Sequence, residues 1–316
     1  MEMRKIGALN VSVVGLGCNN FGWRIGPEES AAVVNAAIDA GVNFFDTADV
    51  YGEGRSEEFL GRALNRRREI VIATKFGMKF GASVGGAKPD YIRQAAEASL
   101  RRLGTDYIDL YQLHKPDPET PIADTLGALD DLVRAGKVRE IGCSNFSAAQ
   151  LGEAAAAVKP GAARFVSVQN DYSLLNRAAE AEVLPECVKQ GLAFLPYFPL
   201  ANGLLTGKYA KGQQFPEDSR GKVGFGPKVF TDKNLELVDK LMQFAATQGH
   251  TLLELAISWL ACQPAIASVI AGAKTPEQIR ANAASAGWKL TRAEMDSIDE
   301  ILGLKIPQGD AQVLGS

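Results

Sequence analysis

A carboxylate and a phenol lie five positions apart in the stretch DTADVYGEG, residues 46–54. Asp46 begins this stretch, and Tyr51 follows on a glycine-containing turn. A phenol whose pKa is about 10 donates a proton poorly at neutral pH. A lysine ammonium beside the hydroxyl would lower that pKa, and a carboxylate could hold the lysine in place. The pair therefore predicts proton-transfer chemistry if folding brings a lysine to the turn.

Two residues further along the chain are candidates to join this pair. Lys75 lies in the run IVIATKFG, and His114 ends the run IDLYQLHKPD. Each residue also has an ordinary explanation when it is taken singly. Asp46 could form a turn, Tyr51 could be a half-buried aromatic, Lys75 a solvated charge and His114 a hydrogen-bonded core histidine. Convergence in space is what would make them a site, so the elements that position them matter most.

Short β-rich runs recur along the chain and alternate with amphipathic segments. Ile122, Leu126, Leu129 and Val133 share one face of a helix predicted over 122–135, and a similar pattern covers 91–103. Eight strands that alternate with helices are typical of a closed (β/α)8 TIM barrel, an α/β fold. The strands are predicted at Val13–Gly17, Asn43–Asp46, Ile70–Thr74, Ile108–Leu113, Glu140–Cys143, Phe165–Gln169, Ala193–Pro196 and Ala267–Ile270.

Additions to the barrel are predicted at both ends of the chain and before the last strand. Arg4–Val11 is expected to form a β-hairpin that closes the bottom of the barrel. The segment 201–230, rich in Gly, Lys and Pro, predicts a long loop between strands seven and eight. A helix over 291–302 follows strand eight. No linker interrupts the pattern, so residues 1–316 are expected to form one domain.

Polar residues follow almost every predicted strand. In barrels of this class, the carboxyl ends of the strands form the end of the barrel where active sites lie. Asp46, Lys75 and His114 are therefore expected to meet there. The same end of the barrel should receive Ser144, Asn145, Gln169 and Tyr197, and the aromatic residues Trp23, Phe76 and Phe80 are candidates to line a substrate pocket.

Composition excludes several classes of function. The net charge of −3 and pI of about 5.6 argue against a nucleic-acid partner. No uncharged apolar run approaches the roughly 18 residues of a membrane helix, so no membrane partner is expected. Four scattered cysteines indicate reduced thiols and a cytoplasmic location, and no metal site. The glycines of residues 15–22 do not fit the GxGxxG motif of a Rossmann dinucleotide-binding fold, because position 20 is Asn, so that fold is not expected.

The chain resembles the aldo-keto reductases over nearly its whole length. The motifs that carry the resemblance occur in the family's order and at spacings that fit a barrel. They are FDTADVYGEGRSEEFLG (45–61), ATKFG (73–77), LHKPD (113–117), GKVREIGCSNF (136–146), PYFPLANGLLTGKY (196–209) and IAGAKTPEQIRAN (270–282).

The resemblance implies reversible, NADPH-dependent, metal-free reduction of an aldehyde or ketone, such as a sugar, polyol or small carbonyl compound. Tyr51 would be the general acid, Lys75 would lower its pKa, and Asp46 would pair with Lys75. His114 would orient the carbonyl group. These implied roles agree with the chemistry expected from the residue types alone, since a donor placed at the carbonyl oxygen stabilises the charge that develops there.

The resemblance also implies a cofactor site along the same end of the barrel. Ser144, Asn145 and Gln169 would bind the nicotinamide carboxamide, and Tyr197 would stack on its ring. Groups near the pyrophosphate and adenosine would be Pro199, Leu200, Gly203, Lys208, Arg220, Gly272, Lys274, Gln278 and Asn282. Some relatives have arginine where this chain has Gln278 and lysine where it has Gly272. NADPH preference would therefore depend mainly on Lys274, and use of NADH stays open.

Two other functions fit parts of the pattern. A barrel aldolase or isomerase could form a Schiff base through Lys75. Some relatives instead bind NADPH tightly as β subunits of potassium channels and turn over slowly. The complete Asp, Tyr, Lys and His set favours active chemistry. The identity of the substrate, the physiological direction and the oligomeric state are not encoded in these motifs.

Overall fold

Eight parallel strands form the barrel predicted from the sequence. The computed structural model describes residues 1–64, 69–209 and 226–304. Each barrel strand overlaps its predicted segment, and neighbouring strands pair in parallel, β3 through β9 in chain order, with β10 beside β3. The bounds are β3 Val14–Gly17, β4 Phe44–Asp46, β5 Val71–Phe76, β6 Ile108–Leu113, β7 Val138–Ser144, β8 Phe165–Asp171, β9 Ala193–Tyr197 and β10 Val269–Gly272.

The barrel is nearly closed at the junction of β9 and β10. The Phe194 amide donates to the Ala265 carbonyl at 2.7 Å, and the Ala267 amide donates to the Phe194 carbonyl at 3.1 Å. These bonds form an isolated parallel bridge between Phe194 and Ile266. The bridge lies just before β10, so the two outer strands of the sheet meet through a short contact instead of a full ladder.

An N-terminal hairpin closes the bottom of the barrel, as predicted. It comprises β1 Met3–Ile6 and β2 Leu9–Ser12, with Gly7 at φ +55° in the turn. Ile6, Leu9 and Val11 are buried in one cluster with side chains from the inner face of the barrel, which are Phe44, Val71, Ala73, Leu110, Val166, Ala193, Leu195, Ala267 and Ile270. Apolar packing therefore fills the lower interior and leaves the opposite end for polar groups.

Helices cover the outside of the barrel. Their bounds are α1 Pro27–Asp39, α2 Arg55–Ala63, α3 Pro89–Leu103, α4 Ile122–Arg134, α5 Ala148–Ala157, α6 Val183–Gln190, α7 Gly226–Val229, α8 Asp232–Thr247, α9 Leu252–Ala261, α10 Pro276–Ala284 and α11 Arg292–Ile301. The helices predicted over 91–103, 122–135 and 291–302 correspond to α3, α4 and α11. In the described part of the chain, no helix is both long and apolar enough to cross a membrane.

The segment between β9 and β10 is more ordered than a plain loop. Ala201–Thr206 forms a short 3-10 helix, and residues 226–230 include α7. Two longer helices, α8 and α9, follow before β10, and their apolar faces pack into the main core. The predicted long connection over 201–230 is therefore present but partly helical, at residues 201–206 and in α7, and residues 210–225 lie outside the described part.

Candidate functional site

Three polar side chains continue the inner face of the barrel above its apolar interior. Side chains alternate between the two faces of a strand. Asp46, Lys75 and Gln112 each come two positions after a residue of the buried interior, namely Phe44, Ala73 and Leu110. The three are therefore stacked on the same face as the core, one level closer to the carboxyl ends of the strands.

A buried ion pair lies at the centre of this polar level. The Lys75 ammonium donates to Asp46 Oδ2 at 2.6 Å and to the Thr47 carbonyl at 2.8 Å. The second oxygen of Asp46 accepts from Gln169 Nε2 at 2.9 Å and from Gln112 Nε2 at 3.2 Å. Lys75 is fully buried and Asp46 is 3% exposed. Three donors thus satisfy the buried carboxylate, and the two acceptors of Lys75 fix the direction of its ammonium.

Tyr51 lies on a tight turn directly above this ion pair. The turn forms a 3-10 segment, Tyr51–Gly54, in which Gly52, Glu53 and Gly54 all have positive φ. The Lys75 ammonium is 5.1 Å from the centre of the Tyr51 ring and lies close enough to the hydroxyl group to act on its pKa. Asp46, Lys75 and Tyr51 are therefore brought together as the sequence predicts.

The charge of Lys75 acts on Tyr51 in the expected direction, but burial opposes it. Burial of the hydroxyl raises the pKa of Tyr51 above its ordinary value, and the ammonium of Lys75 only partly offsets that effect. The sequence predicts a lowered pKa for Tyr51, whereas in the structure the effect of burial is the larger one and the pKa is raised. Burial also tends to lower the pKa of Lys75, but Asp46 and Tyr51 outweigh it and raise that pKa, so the ammonium is retained at neutral pH.

His114 faces the same phenol from the end of β6. Its ring meets the Tyr51 ring edge to face, with centroids 5.8 Å apart. Burial, followed by the charges of Lys75 and Lys115, lowers the pKa of His114 to about 3. Its Nδ1 is buried and has no hydrogen-bond partner among the described residues. The imidazole is therefore neutral at physiological pH and can exchange hydrogen bonds without carrying a charge.

The residues expected at the nicotinamide form one connected group beside His114. Ser144 Oγ donates to the Gln169 carbonyl at 2.7 Å. Asn145 Nδ2 donates to the His114 carbonyl at 2.9 Å, and Tyr197 donates from its hydroxyl to Asn145 Oδ1 at 2.8 Å. Asn145 adopts φ +63° and is exposed, whereas Ser144 is buried. The positive φ turns the amide towards two separate elements, β6 and β9.

The predicted pyrophosphate segment follows β9 directly. Pro199 is buried, Leu200 packs against the main core, and Lys208 is exposed. Gly203 has φ +96°, a conformation that side chains other than glycine rarely adopt. Arg220 lies outside the described residues. The backbone of this segment therefore follows a course that depends on glycine.

The predicted adenosine residues cluster at the start of α10. Thr275 caps this helix by accepting from the Gln278 amide, and the Gln278 side chain accepts from the Lys274 amide at 2.8 Å. Gly272 is exposed, and Asn282 is buried one turn beyond Gln278. Gln278 thus closes the turn before its own helix, so its carbonyl oxygen already has a donor.

The three predicted pocket aromatics do not share one environment. Trp23 is 63% exposed, and the Arg24 guanidinium lies 4.5 Å from the centre of its ring. Phe80 is partly buried in the loop after β5. Phe76 is fully buried and stacks on Tyr111 at 4.7 Å, in the core outside the barrel strands. Because Lys75 faces inward, the next residue must face outward, so the structure does not bring Phe76 to the open end.

Gln112 is a site residue that motif reasoning missed. It is fully buried and, like Gln169, donates a hydrogen bond to Asp46 Oδ1. The available signal was the single amide in the strand sequence IDLYQL, at the same parity as His114. Its pairing position opposite Lys75 on the neighbouring strand follows from the register of β5 and β6.

Comparisons with known proteins agree with this geometry. The family model "Aldo/keto reductase family" matches residues 13–303. The aldo-keto reductase yakc [NADP(+)] of Schizosaccharomyces pombe is 38% identical, covering 97% of this chain and 94% of that protein. A probable voltage-gated potassium channel subunit beta of Arabidopsis thaliana is 35% identical, covering 96% and 98%.

A solved structure with the same architecture comes from a further relative. The glycerol dehydrogenase of Gluconobacter oxydans superimposes with a TM-score of 0.84 at 31% identity, covering 99% of each chain. The match therefore extends over the entire barrel, including the hairpin and the C-terminal helix. With the barrel, the buried Asp–Lys–Tyr cluster and these matches taken together, the chain belongs to the aldo/keto reductase family.

Proposed function

We propose that this protein, working as one domain over residues 1–316, reduces an aldehyde or ketone to an alcohol with NADPH, and catalyses the reverse reaction. The substrate class is a sugar, a polyol or a small carbonyl compound. The observation that carries the proposal is the continuous contact from Asp46 through Lys75 to the hydroxyl of Tyr51, beside a neutral His114. This arrangement supplies a proton donor whose conjugate base is stabilised by a fixed ammonium group.

The four side chains of the site have separate roles in protonating and orienting the carbonyl oxygen. NADPH, when bound, supplies the hydride that reduces the carbonyl carbon. Tyr51 donates its proton to the oxygen, where negative charge develops, and Lys75 stabilises the phenolate that remains. Asp46 keeps Lys75 protonated and aimed at the phenol. The neutral imidazole of His114 orients the substrate by a hydrogen bond to the same oxygen.

The open end of the barrel fits a dinucleotide. Tyr197 is only partly buried and presents an aromatic ring at the end of β9, and Asn145 exposes an amide next to it. The N-terminus of α10 offers backbone amides and a partial positive charge, and Lys274 lies directly before it. An aromatic surface at one side and a cationic helix start at the other suit a nicotinamide and a 2′-phosphate respectively.

A Schiff-base aldolase is a poorer fit to the same residues. A lysine nucleophile must lose its proton before it attacks a carbonyl carbon. The ammonium of Lys75 is held by Asp46 and the Thr47 carbonyl, and its pKa is raised. Borohydride treatment with a carbonyl substrate is therefore expected to leave the mass of the protein unchanged.

A cofactor-binding regulatory subunit is the second candidate. The similarity to a probable potassium channel β subunit supports it. A protein of that kind would copurify with NADPH and oxidise it very slowly. Rapid multiple turnover with a carbonyl substrate would exclude this role as the main one, since a regulatory subunit has no need for fast product release.

A substrate and cofactor panel tests the proposal. NADPH oxidation should accompany stoichiometric formation of an alcohol from at least one aldehyde, ketone or sugar. Lys274→Ala should raise the KM for NADPH by about tenfold or more, because a charge-assisted contact to phosphate is lost, and should leave the KM for NADH unchanged. Lys240→Ala, at an exposed position on α8, is the matched control. Absence of oxidation with every carbonyl compound and both cofactors would contradict the proposal.

A further inference from the structure

A carboxyl group that the proposed chemistry does not use lies on the turn that carries Tyr51. Asp49 is two residues before Tyr51 and is 1% exposed. Its amide donates to the Lys75 carbonyl at 3.1 Å, which ties the turn to β5. Neither oxygen of its carboxyl group has a regular hydrogen bond from any described residue. An ionised carboxylate in such a position would be a buried, unpaired charge, which is strongly unfavourable.

The cation with the largest effect on Asp49, Arg102, is already engaged by another buried carboxylate. Glu57 is fully buried, and it accepts from Arg102 Nε at 2.6 Å and from Thr74 Oγ1 at 2.6 Å. Asp49 and Glu57 repel each other, so two acidic groups depend on the single guanidinium of Arg102. Because Glu57 already has the guanidinium as its partner, an ionised Asp49 would add a second buried negative charge to the cluster.

The cations that act most strongly on Asp49 are Arg102 and Lys75, and Lys75 is already used at the site. The titratable groups that act on Asp49 or are acted on by it lie on four elements: Glu57 on α2, Tyr91 and Arg102 on α3, Lys75 on β5 and Tyr111 on β6. The hydroxyl of Tyr111 is also buried without a hydrogen-bond partner in the described structure. Of the two buried carboxyl groups, Asp49 therefore has fewer compensating contacts than Glu57.

We propose that Asp49 is a positioning residue that keeps Tyr51 in its reactive place only while the Asp49 carboxyl group is protonated, so that loss of this proton sets the alkaline limit of reduction. This inference depends on the proposed function for its kinetic consequence. Two effects follow from ionisation. The unpaired charge favours opening of the turn to water, and it also draws on the Lys75 ammonium, which leaves Tyr51 a weaker acid.

The electrostatics of the cluster place this transition in the physiological range. Burial, followed by the charge of Glu57, raises the pKa of Asp49 to about 7, against lowering effects of Arg102, the Val50 amide and Lys75. The Val50 amide lies near the Asp49 carboxyl group and stabilises its ionised form. It makes no regular hydrogen bond to either carboxyl oxygen. His114 cannot account for a transition near neutrality, because its pKa is lowered to about 3.

The test compares pH profiles of carbonyl reduction for the wild type, Asp49→Asn and Asp49→Ser. The rate constant kcat of the wild type should fall by about tenfold or more between pH 6 and pH 9, whereas both uncharged variants should lack this fall. Asp39→Asn, an exposed aspartate at the end of α1, is the matched control and should retain the wild-type profile. A profile shared by the wild type and both uncharged variants would overturn the inference.

Difference infrared spectroscopy tests the protonation state of Asp49 directly and requires no catalytic turnover. The wild type at pH 6 should show a protonated carboxyl band that disappears at pH 9 and is missing from Asp49→Asn. Absence of that band overturns the inference even if the enzyme is active. Failure of the proposed function would look different, since the wild type would then reduce no carbonyl compound while the band was still present.

Discussion

At the open end of the barrel, two buried groups are expected to titrate far from their ordinary values and in opposite directions. Burial and neighbouring lysines lower the pKa of His114 from 6.5 to about 3. Burial and Glu57 raise the pKa of Asp49 from 3.8 to about 7. Both groups are therefore neutral in the folded protein at mildly acidic pH, while both are charged in the unfolded chain. Each pKa difference between the folded and unfolded states therefore makes the free energy of unfolding depend on pH.

The signs of these contributions differ. The lowered pKa of His114 gives stability that is present above pH 6.5 and is lost as the pH falls towards 3. The raised pKa of Asp49 gives stability that is present below pH 3.8 and is lost as the pH rises to 7. In the window that both share, each changes the free energy of unfolding by about 1.4 kcal/mol per pH unit, and the two changes cancel.

Substituting either Asp49 or His114 should reveal the pH dependence of stability that the other residue contributes. Relative to the wild type, the free energy of unfolding of Asp49→Asn should increase with pH across the shared window, at about 1.4 kcal/mol per unit. That of His114→Gln should decrease at a similar rate. Denaturant unfolding of the three proteins at several pH values between 4 and 6.5 measures both slopes. Parallel stability curves for all three proteins would show that these groups titrate normally.

At the scale of elements, the turn after β4 determines where the phenol lies. Gly52 has φ +57°, and a Cβ atom there would lie 3.0 Å from the Phe21 carbonyl oxygen and 3.1 Å from the Gly22 backbone. The turn therefore packs backbone against backbone with the loop that follows β3. Glycine is required at this position for two reasons, the positive φ and the close approach.

Gly52→Ala separates these two reasons when it is compared with Gly104→Ala. Gly104 has φ +63° at the end of α3, but a Cβ atom there would meet nothing within 4 Å. Both variants should lose about 1–2 kcal/mol of stability from the left-handed conformation. Only Gly52→Ala should also lose most of its kcat, because the clash must move Tyr51. Equal kcat values for the two variants would contradict a fixed turn.

The elements also show where sequence reasoning succeeds and where it stops. Apolar runs and helix periodicity predicted every barrel strand, because burial on both faces leaves a strong compositional signal. The outward direction of Phe76 could have been predicted from that of Lys75 by alternation. The raised pKa of Asp49 could not, since it depends on burial and on groups that α2 and α3 bring beside it. The net raised pKa of Tyr51 could not either, since it depends on how deeply the hydroxyl group is buried.

At the scale of the whole molecule, segments separated by more than a hundred positions meet at one end of the barrel. Asp46 receives hydrogen bonds from Gln112 and Gln169, which come from β6 and β8. The hairpin and the apolar interior close the opposite end. The closed arrangement of parallel strands makes this convergence a consequence of topology, since each strand directs its carboxyl end to the same side.

Tyr51 is proposed to give the proton to the carbonyl oxygen, while Lys75 partly offsets the effect of burial on its pKa and stabilises the phenolate. The most direct test is the kcat of Tyr51→Phe for reduction of an activated aldehyde, with NADPH affinity measured in parallel. Tyr107→Phe, just before β6 at the closed end, controls for loss of a hydroxyl group. We expect Tyr51→Phe to lose about 100- to 10,000-fold in kcat while NADPH still binds and Tyr107→Phe stays fully active. A kcat for Tyr51→Phe within about twofold of the wild type would contradict the account.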